Sequence, residues 1–437
     1  MKRYDSYKDS GVEWIGEVPS HWDVLHFRHT IKHITTGLNP RDNFQLGEGN
    51  NFYVTIRNFQ NGKIFLDENC DLINDKALKI IHNRSKIQKG DLLFASISEN
   101  GKAVVIKEDP INWDINESVF AIRPNNRLNS DYLFYVITDY SFYKPLRIGA
   151  TGTTFSSIKQ DQLKSGLIVC PPFSEQRIIA SYLDSKCGEI DKVISNQEKR
   201  IALLQELKQS IITHAVTKGL NPNVKMKDSG IEWIGEVPEH WEVYKTSLAF
   251  NKIGSGTTPK SSEKSYYDDD GYYWLQTGDL NDGNIIDTSK KITKKAVVEC
   301  KMKFYPKGSI VIAMYGATIG KLGLLHINTS TNQACCVLCP SKKIYNTFAF
   351  YIYKSAKQEM LIDAMGGGQP NISQDIIRLL RIPVPPLTEQ KEIASYLDKR
   401  CSSIDASISK AQREIELLQE YKQSLITEVV TGKRKVC

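Results

Sequence analysis

No apolar stretch in this 437-residue chain approaches the roughly 18 residues that a membrane-spanning helix requires, so no membrane partner is expected. The opening MKRYDSYKDSGVEW also lacks the apolar core of a secretory signal, and a cytoplasmic chain is expected. Cysteine is present without pattern: nine residues, an odd number scattered from Cys70 to Cys437, fit reduced thiols rather than a disulfide framework. Neither sign of charge dominates. The net +7, from 57 Lys+Arg against 50 Asp+Glu, permits an acidic partner such as nucleic acid without requiring one. Hydrophobic residues at 41% and charged residues at 24% are ordinary for a globular protein long enough for two or three domains.

What the chain does have is an internal repeat. DSGVEWIGEVPSHWDV, beginning at Asp9, recurs as DSGIEWIGEVPEHWEV at Asp228. A longer block beginning PPFSEQRIIASYLD at Pro171 recurs at Pro385 as PPLTEQKEIASYLD and continues without a gap. The stretches between these blocks are weakly related. GLNP at Gly37 faces GTTP at Gly256, KGDLLFASISENGK faces KGSIVIAMYGATIGK, and Asn116 faces Asn332. Each variable stretch is thus a diverged copy of one domain held in a repeated frame.

The long block reads as a helix. Steps of four and three residues run through Ile190, Ile194, Gln197, Ile201, Leu204, Lys208, Ile211 and Ala215, and through Ile404, Ile408, Ala411, Ile415, Leu418, Lys422, Leu425 and Val429. Leu203, Leu207, Leu417 and Tyr421 widen that seam, so each helix is expected to touch more than one neighbour. Ser174 and Thr388, just after a Pro-Pro pair, are expected N-caps, with the helices starting at about Glu175 and Glu389. From Glu189 to Val216, at about 1.5 Å per residue, the rod is roughly 40 Å long, close to one turn of DNA at about 34–36 Å.

The variable stretches carry short β-rich runs, FYVTIRNF, GDLLFAS, AVVIK, SVFAIRP and SGLIVCPP, with one helical run each, starting at Ser130 and Asn346. The expected class is α+β: two β-rich globular domains held apart by two long antiparallel helices with a pseudo-two-fold internal repeat. The expected divisions are 1–173, 174–218, 219–387 and 388–437.

A duplicated chain tests its own motifs, because frame residues recur in both copies whereas a catalytic set must be whole in at least one. CPPF at Cys170 has the outline of an amino-methyltransferase loop, but Cys cannot accept the amine's hydrogen bonds and the other copy has Val384. GATIGK at Gly316 is one residue short for a phosphate loop and has no Ser or Thr after Lys321, so it reads as a strand-end turn. ENGK at Glu99 has the wrong spacing for a nuclease pair, and Ala317 stands opposite Glu99. Cys336 and Cys339 are half a zinc site without a second half and read as a buried strand. No catalytic, cofactor-binding or metal-binding residue is assigned. The pair Trp14 and Trp22, matched by Trp233 and Trp241, reads as a packing knot.

Unshared loop residues are where specificity belongs, since Asn and Gln suit adenine edges and Arg and Lys suit guanine. The candidates in the first domain are Asn39, Arg41, Arg57, Asn58, Ser98, Asn100, Lys102, Thr153, Thr154, Ser156 and Lys159. In the second they are Thr257, Thr258, Lys260, Gln276, Thr277, Tyr315, Thr318, Lys321, Gln369 and Asn371.

EWIGEVPxHW before each variable domain and PPLxEQxxIAxYLD-like segments leading into a long helix after it closely resemble the specificity subunit of type I restriction-modification systems, over essentially the whole chain. The resemblance implies two target recognition domains, each reading half of a split double-stranded DNA site, with the helices setting the unread spacer. It implies a non-catalytic chain. Adenine methylation with S-adenosylmethionine would belong to two modification subunits, and ATP- and Mg-dependent translocation and cleavage to restriction subunits. The competing classes are a pure interaction scaffold without DNA specificity and a fused single-chain methyltransferase, for which both variable stretches leave no room. Ile201, Leu203, Leu204, Leu207, Ile415, Leu417, Leu418 and Tyr421 are the expected helix-packing and partner-docking residues.

Overall fold

The computed structural model describes residues 3–436 apart from 14, 42, 61, 97–101, 140, 143–145, 147–157 and 363–370. The chain divides into two compact units, residues 1–197 with 413–437, and residues 198–412. Each unit holds one short block, one variable domain and one half of each long helix.

In the first unit the central sheet runs Ala103–Val105, Leu92–Ala95, Val119–Pro124, Ile31–Thr36, antiparallel throughout. Leu92, Leu93, Phe94 and Ala95 are all buried because both faces of the sheet are covered. Leu92, Phe94 and Ile122 pack on Tyr132, Leu133 and Val136 of the helix Ser130–Thr138. Leu93, Val119 and Ala121 face Val54 and Ile115, which belong to a three-stranded sheet ordered Trp113–Ile115, Asn51–Val54, Asp71–Ile73. FYVTIRNF is not one strand: the strand stops at Val54, and Ile56–Asn58 is a 3-10 turn capped by Thr55.

The second unit repeats this plan with one strand more. Its sheet runs Ile253–Ser255, Cys335–Leu338, Ile310–Ala313, Leu322–Leu325, Gly283–Ile285, the last pair parallel. Ile310, Ile312, Cys336 and Leu338 pack on Phe348, Ala349 and Ile352 of the helix Asn346–Ser355. Cys335 and Val337 face the other way, toward Leu275 and Ile285.

The long helices are Phe173–Lys218 and Leu387–Val430. Both begin about two residues earlier than expected. The carbonyls of Pro172 and Pro386 already accept the first intrahelical bonds, from Gln176 N and Gln390 N at 3.1 Å. The prolines therefore hold the N-cap place, and Ser174 and Thr388 lie inside the first turn.

Every seam position named above is buried or half-buried. Its polar steps are explained by reciprocal pairing. In the first unit Lys422 Nζ reaches Asp191 Oδ1 at 2.7 Å and Gln197 Nε2 donates to Glu414 at 2.9 Å, which fixes an antiparallel pairing of the two segments. In the second unit Lys208 Nζ reaches Asp405 at 2.5 Å, the same bond with the helices exchanged. Each lysine lays its stem along the seam and carries its charge to the edge. Leu203, Leu207, Leu417 and Tyr421 stay exposed beside the seam. No helix among the described residues is long and apolar enough to cross a membrane.

Candidate nucleic-acid interface

The short block ties each domain to its long helix. Trp22 and Trp241 are fully buried, and their indole N–H groups donate to Glu175 at 3.0 Å and Glu389 at 2.9 Å in the first helical turns. His21 and His240 reach the other oxygen of the same carboxylates at 2.8 and 2.7 Å. Two carboxylates at helix N-termini are well placed for the helix dipole. Trp233 is half-buried and packs against the second core, whereas Trp14 lies outside the described residues. Trp22, Trp233 and Trp241 thus pack into the cores of their units. Gln176 and Gln390, both buried, repeat the pattern: each donates to the carbonyl of Pro171 or Pro385 and accepts from Asn129 N or Tyr345 N.

The loops at the opposite edge of each domain share one geometry. Gly37 N donates to Asn116 O at 3.2 Å and Gly256 N to Asn332 O at 3.3 Å. A Cβ at Gly37 would lie 1.6 Å from Ile115 O, and at Gly256 1.7 Å from Thr331 O, so only glycine permits this approach. Asn116 N and Asn332 N donate to Val54 O and Leu275 O, both at 3.0 Å. Tyr53 Oη donates to Leu38 O at 2.6 Å, and Trp274 Nε1 does the same to Thr257 O at 3.1 Å. The next turn is matched too. Asn58 Oδ1 accepts Thr55 N, and Asp279 Oδ2 accepts Gln276 N, each at 2.8 Å. TIRN and QTGD are therefore one structural position, a correspondence that the sequence comparison missed because the two share no residue.

The strand ends beside this edge are matched as well. Ser96 N bonds Ser118 O and Ser96 O accepts Ile158 N; likewise Met314 N bonds Ala334 O and Met314 O accepts Ile372 N. Ser96 is thereby held between Ser118 and Ile158, and Met314 between Ala334 and Ile372.

On this edge Arg41, Lys102, Lys159, Thr258, Lys260, Tyr315 and Asn371 are exposed. Asn39, Thr257, Gln276, Thr277, Thr318 and Lys321 are half-buried. Arg57 is exposed and pairs with Asp71 at 3.4 Å. Asn58 is a correction. It is buried, and its amide is spent on the Thr55 cap and on Cys70 Sγ, so it builds the turn and reads nothing. Ser98, Asn100, Thr153, Thr154, Ser156 and Gln369, with Glu99, lie outside the described residues. Sequence reasoning also passed over Glu117 and Gln333, which are exposed beside the aligned Asn116 and Asn332.

Three of the catalytic look-alikes lie on described residues, and each is part of the frame. GATIGK is the turn joining two strands, with Gly316 and Gly320 at positive φ. Burial pushes the Cys336 thiol up to about 12 and raises Cys335 as well, which disfavours the thiolate a metal needs. Cys170 is buried at a strand end, its thiol pushed up to about 11 by burial. Among the described residues no three His, Cys, Asp or Glu side chains cluster to hold a metal.

A family model described as the type I restriction modification DNA specificity domain matches residues 33–205 and 238–417, one stretch in each repeat. The chain belongs to the type I specificity-subunit family. The putative type I restriction enzyme MjaX specificity subunit of Methanocaldococcus jannaschii is 29% identical, over 97% of this chain and 96% of its own length. The EcoKI specificity subunit of Escherichia coli is 21% identical over 87% of this chain and 81% of its own. Among solved structures, a chain from a study of assembly and conformational transition of the type I R-M system superposes with a TM-score of 0.73 at 17% identity, covering 94% of this chain and 98% of that one. The HsdS subunit of Thermoanaerobacter tengcongensis does so with a TM-score of 0.52 at 17% identity, covering 95% and 98%. These likenesses show the specificity-subunit fold.

Proposed function

We propose that this specificity subunit reads a two-part sequence in double-stranded DNA, each variable domain taking one half, with the paired helices setting the unread gap. The observation that carries this reading is the loop edge built twice on one backbone frame with different exposed side chains. A frame kept while its presented residues diverge is what two readers of different sequences need. Backbone-directed cations such as Lys102, Lys159 and Lys260 would position the duplex, and neighbouring polar side chains would read base edges.

The chain itself is non-catalytic in this reading. Two modification subunits bring S-adenosylmethionine for adenine methylation, and restriction subunits bring ATP- and Mg-dependent translocation and cleavage. Leu203 with Leu207 in one unit, and Leu417 with Tyr421 in the other, form equivalent exposed apolar pairs suited to two identical modification subunits. Leu203→Glu combined with Leu417→Glu is expected to weaken that association at least tenfold while leaving the thermal midpoint of the free chain within about 1 °C, because both positions are exposed. Unchanged association by calorimetry sinks the docking assignment.

The direct test is to map adenine methylation on random-sequence DNA by the chain assembled with its modification subunits. Two short motifs at a fixed separation are expected. One continuous motif would leave a domain without a reading role, and sequence-independent methylation would favour the scaffold.

A further inference from the structure

Asn116-Glu117-Ser118 and Asn332-Gln333-Ala334 form the same turn in the two domains. In each, the Asn side-chain oxygen accepts the N–H two residues on, Ser118 N or Ala334 N, at 3.2 Å. The Asn carbonyl takes the N–H of Gly37 or Gly256, and the Asn N–H is held by the neighbouring strand. The residue after Asn is therefore fixed by its backbone on both sides while its own side chain stands exposed. Its head group is oriented as well. Tyr53 Oη, which holds the glycine loop, lies 3.4 Å from Glu117 Oε2, and Thr258 of the corresponding loop donates to Gln333 Oε1.

The backbone frame of this arrangement recurs between the copies, whereas the presented group, a carboxylate in one and a carboxamide in the other, and the side chain that holds it differ. We propose that Glu117 and Gln333 are equivalent base-reading positions, Glu117 selecting cytosine and Gln333 adenine at corresponding places in the two half-sites. This deepens the two-reader function and rests on it.

The chemistry follows from the groups. An exposed carboxylate on a DNA-facing edge is repelled by phosphate and by the acceptors of guanine and thymine. It is satisfied only by an amino donor; cytosine N4 and adenine N6 both supply one in the major groove, and the N7 acceptor beside adenine N6 repels the carboxylate and leaves cytosine favoured. A carboxamide offers a donor and an acceptor together, matching adenine N7 and N6. The Thr258 bond occupies one lone pair of Gln333 Oε1, leaving the other and both amide hydrogens for the base.

The test uses the complete complex with its modification subunits and methylation mapping on random-sequence DNA. Gln333→Glu is expected to shift one base pair of one half-site from A·T toward C·G, by roughly tenfold or more in preference, with the other half-site unchanged. Glu117→Gln is expected to shift one base pair of the other half-site in the opposite sense. Gln333→Ala should lose discrimination at that base pair alone. If the parent complex shows two half-sites and neither exchange moves any base preference, the assignment is overturned while the two-reader function stands. Loss of methylation on every sequence in both exchange variants would also overturn it, marking the turn as frame. A parent complex without a two-part target fails the underlying function itself.

Discussion

Asp139, at the end of the helix Ser130–Thr138, is buried; Thr427 and Gln423 donate to its Oδ1 at 2.8 and 3.0 Å, and its Oδ2 has no hydrogen-bond partner among the described residues. Burial raises its carboxyl above the ordinary range, against the hydrogen bonds and the charge of Lys433. Between the unfolded value near about 4 and its own higher one, the folded chain keeps a proton that the unfolded chain releases. The contribution is complete below about pH 4 and is lost as pH rises through the folded value. Asp139→Asn, which keeps the acceptor, is expected to flatten this decline and raise stability at pH 7 by about 1 kcal/mol. Thermal midpoints from pH 4 to 8 check it, and parallel curves for parent and variant would refute it. Ser355, bonded to Thr213 in the second unit, holds the matching place without a charge. Such residues were not legible beforehand. Nothing in the string distinguishes Asp139 from a solvated helix end, or Asn58 from a loop reader, because burial and capping are decided by segments distant in sequence.

The long helices were legible, because a seam of four- and three-residue steps is a local property that packing merely uses. Their starting points were not, since Ser after Pro-Pro signals a cap unless the proline carbonyl takes that place first. The seam lysines make a measurable claim. Lys208 and Asp405 are partly exposed at the helix edge, so their coupling in a Lys208→Met and Asp405→Asn double-mutant cycle is expected to be only about 0.5 kcal/mol and to shrink with salt. The reciprocal pair Lys422 and Asp191 should give the same sign and size. A coupling above about 2 kcal/mol at either pair would mean that the seam is specified by charge rather than by its apolar steps.

For the whole molecule, the proposed gap between half-sites is set by helix length, and both unit boundaries fall inside the long helices. A heptad preserves the phase of the seam. Inserting one after Gln197 and another after Gln412 adds about 10 Å to each helix. Methylation mapping is then expected to show both half-sites unchanged and the gap longer by about three base pairs, at roughly 3.4 Å each. An unchanged gap would place spacing control elsewhere. The repeat and the mixed fold were readable because duplication preserves the frame residues at both copies. The matched loop edges were half-readable: the glycine loops aligned by sequence, whereas the Thr55 and Gln276 turns aligned only through their hydrogen bonds.

Residues 413–437 complete the unit that residues 1–197 begin. Tyr7 Oη donates to Gly432 O at 3.1 Å, and Gly432 at φ +75° lies so close to Pro19 and Trp22 that a Cβ there would come within 2.3 Å of the proline ring. The second unit makes the matching contact, Gly219 on Trp241, inside one uninterrupted stretch of chain. During synthesis the ribosome therefore delivers all of the second unit before the first can close. The first unit therefore waits, its apolar surface uncovered, until residues 413–430 have left the exit tunnel. A stop codon that removes residues 413–437 would injure the first unit and spare the second.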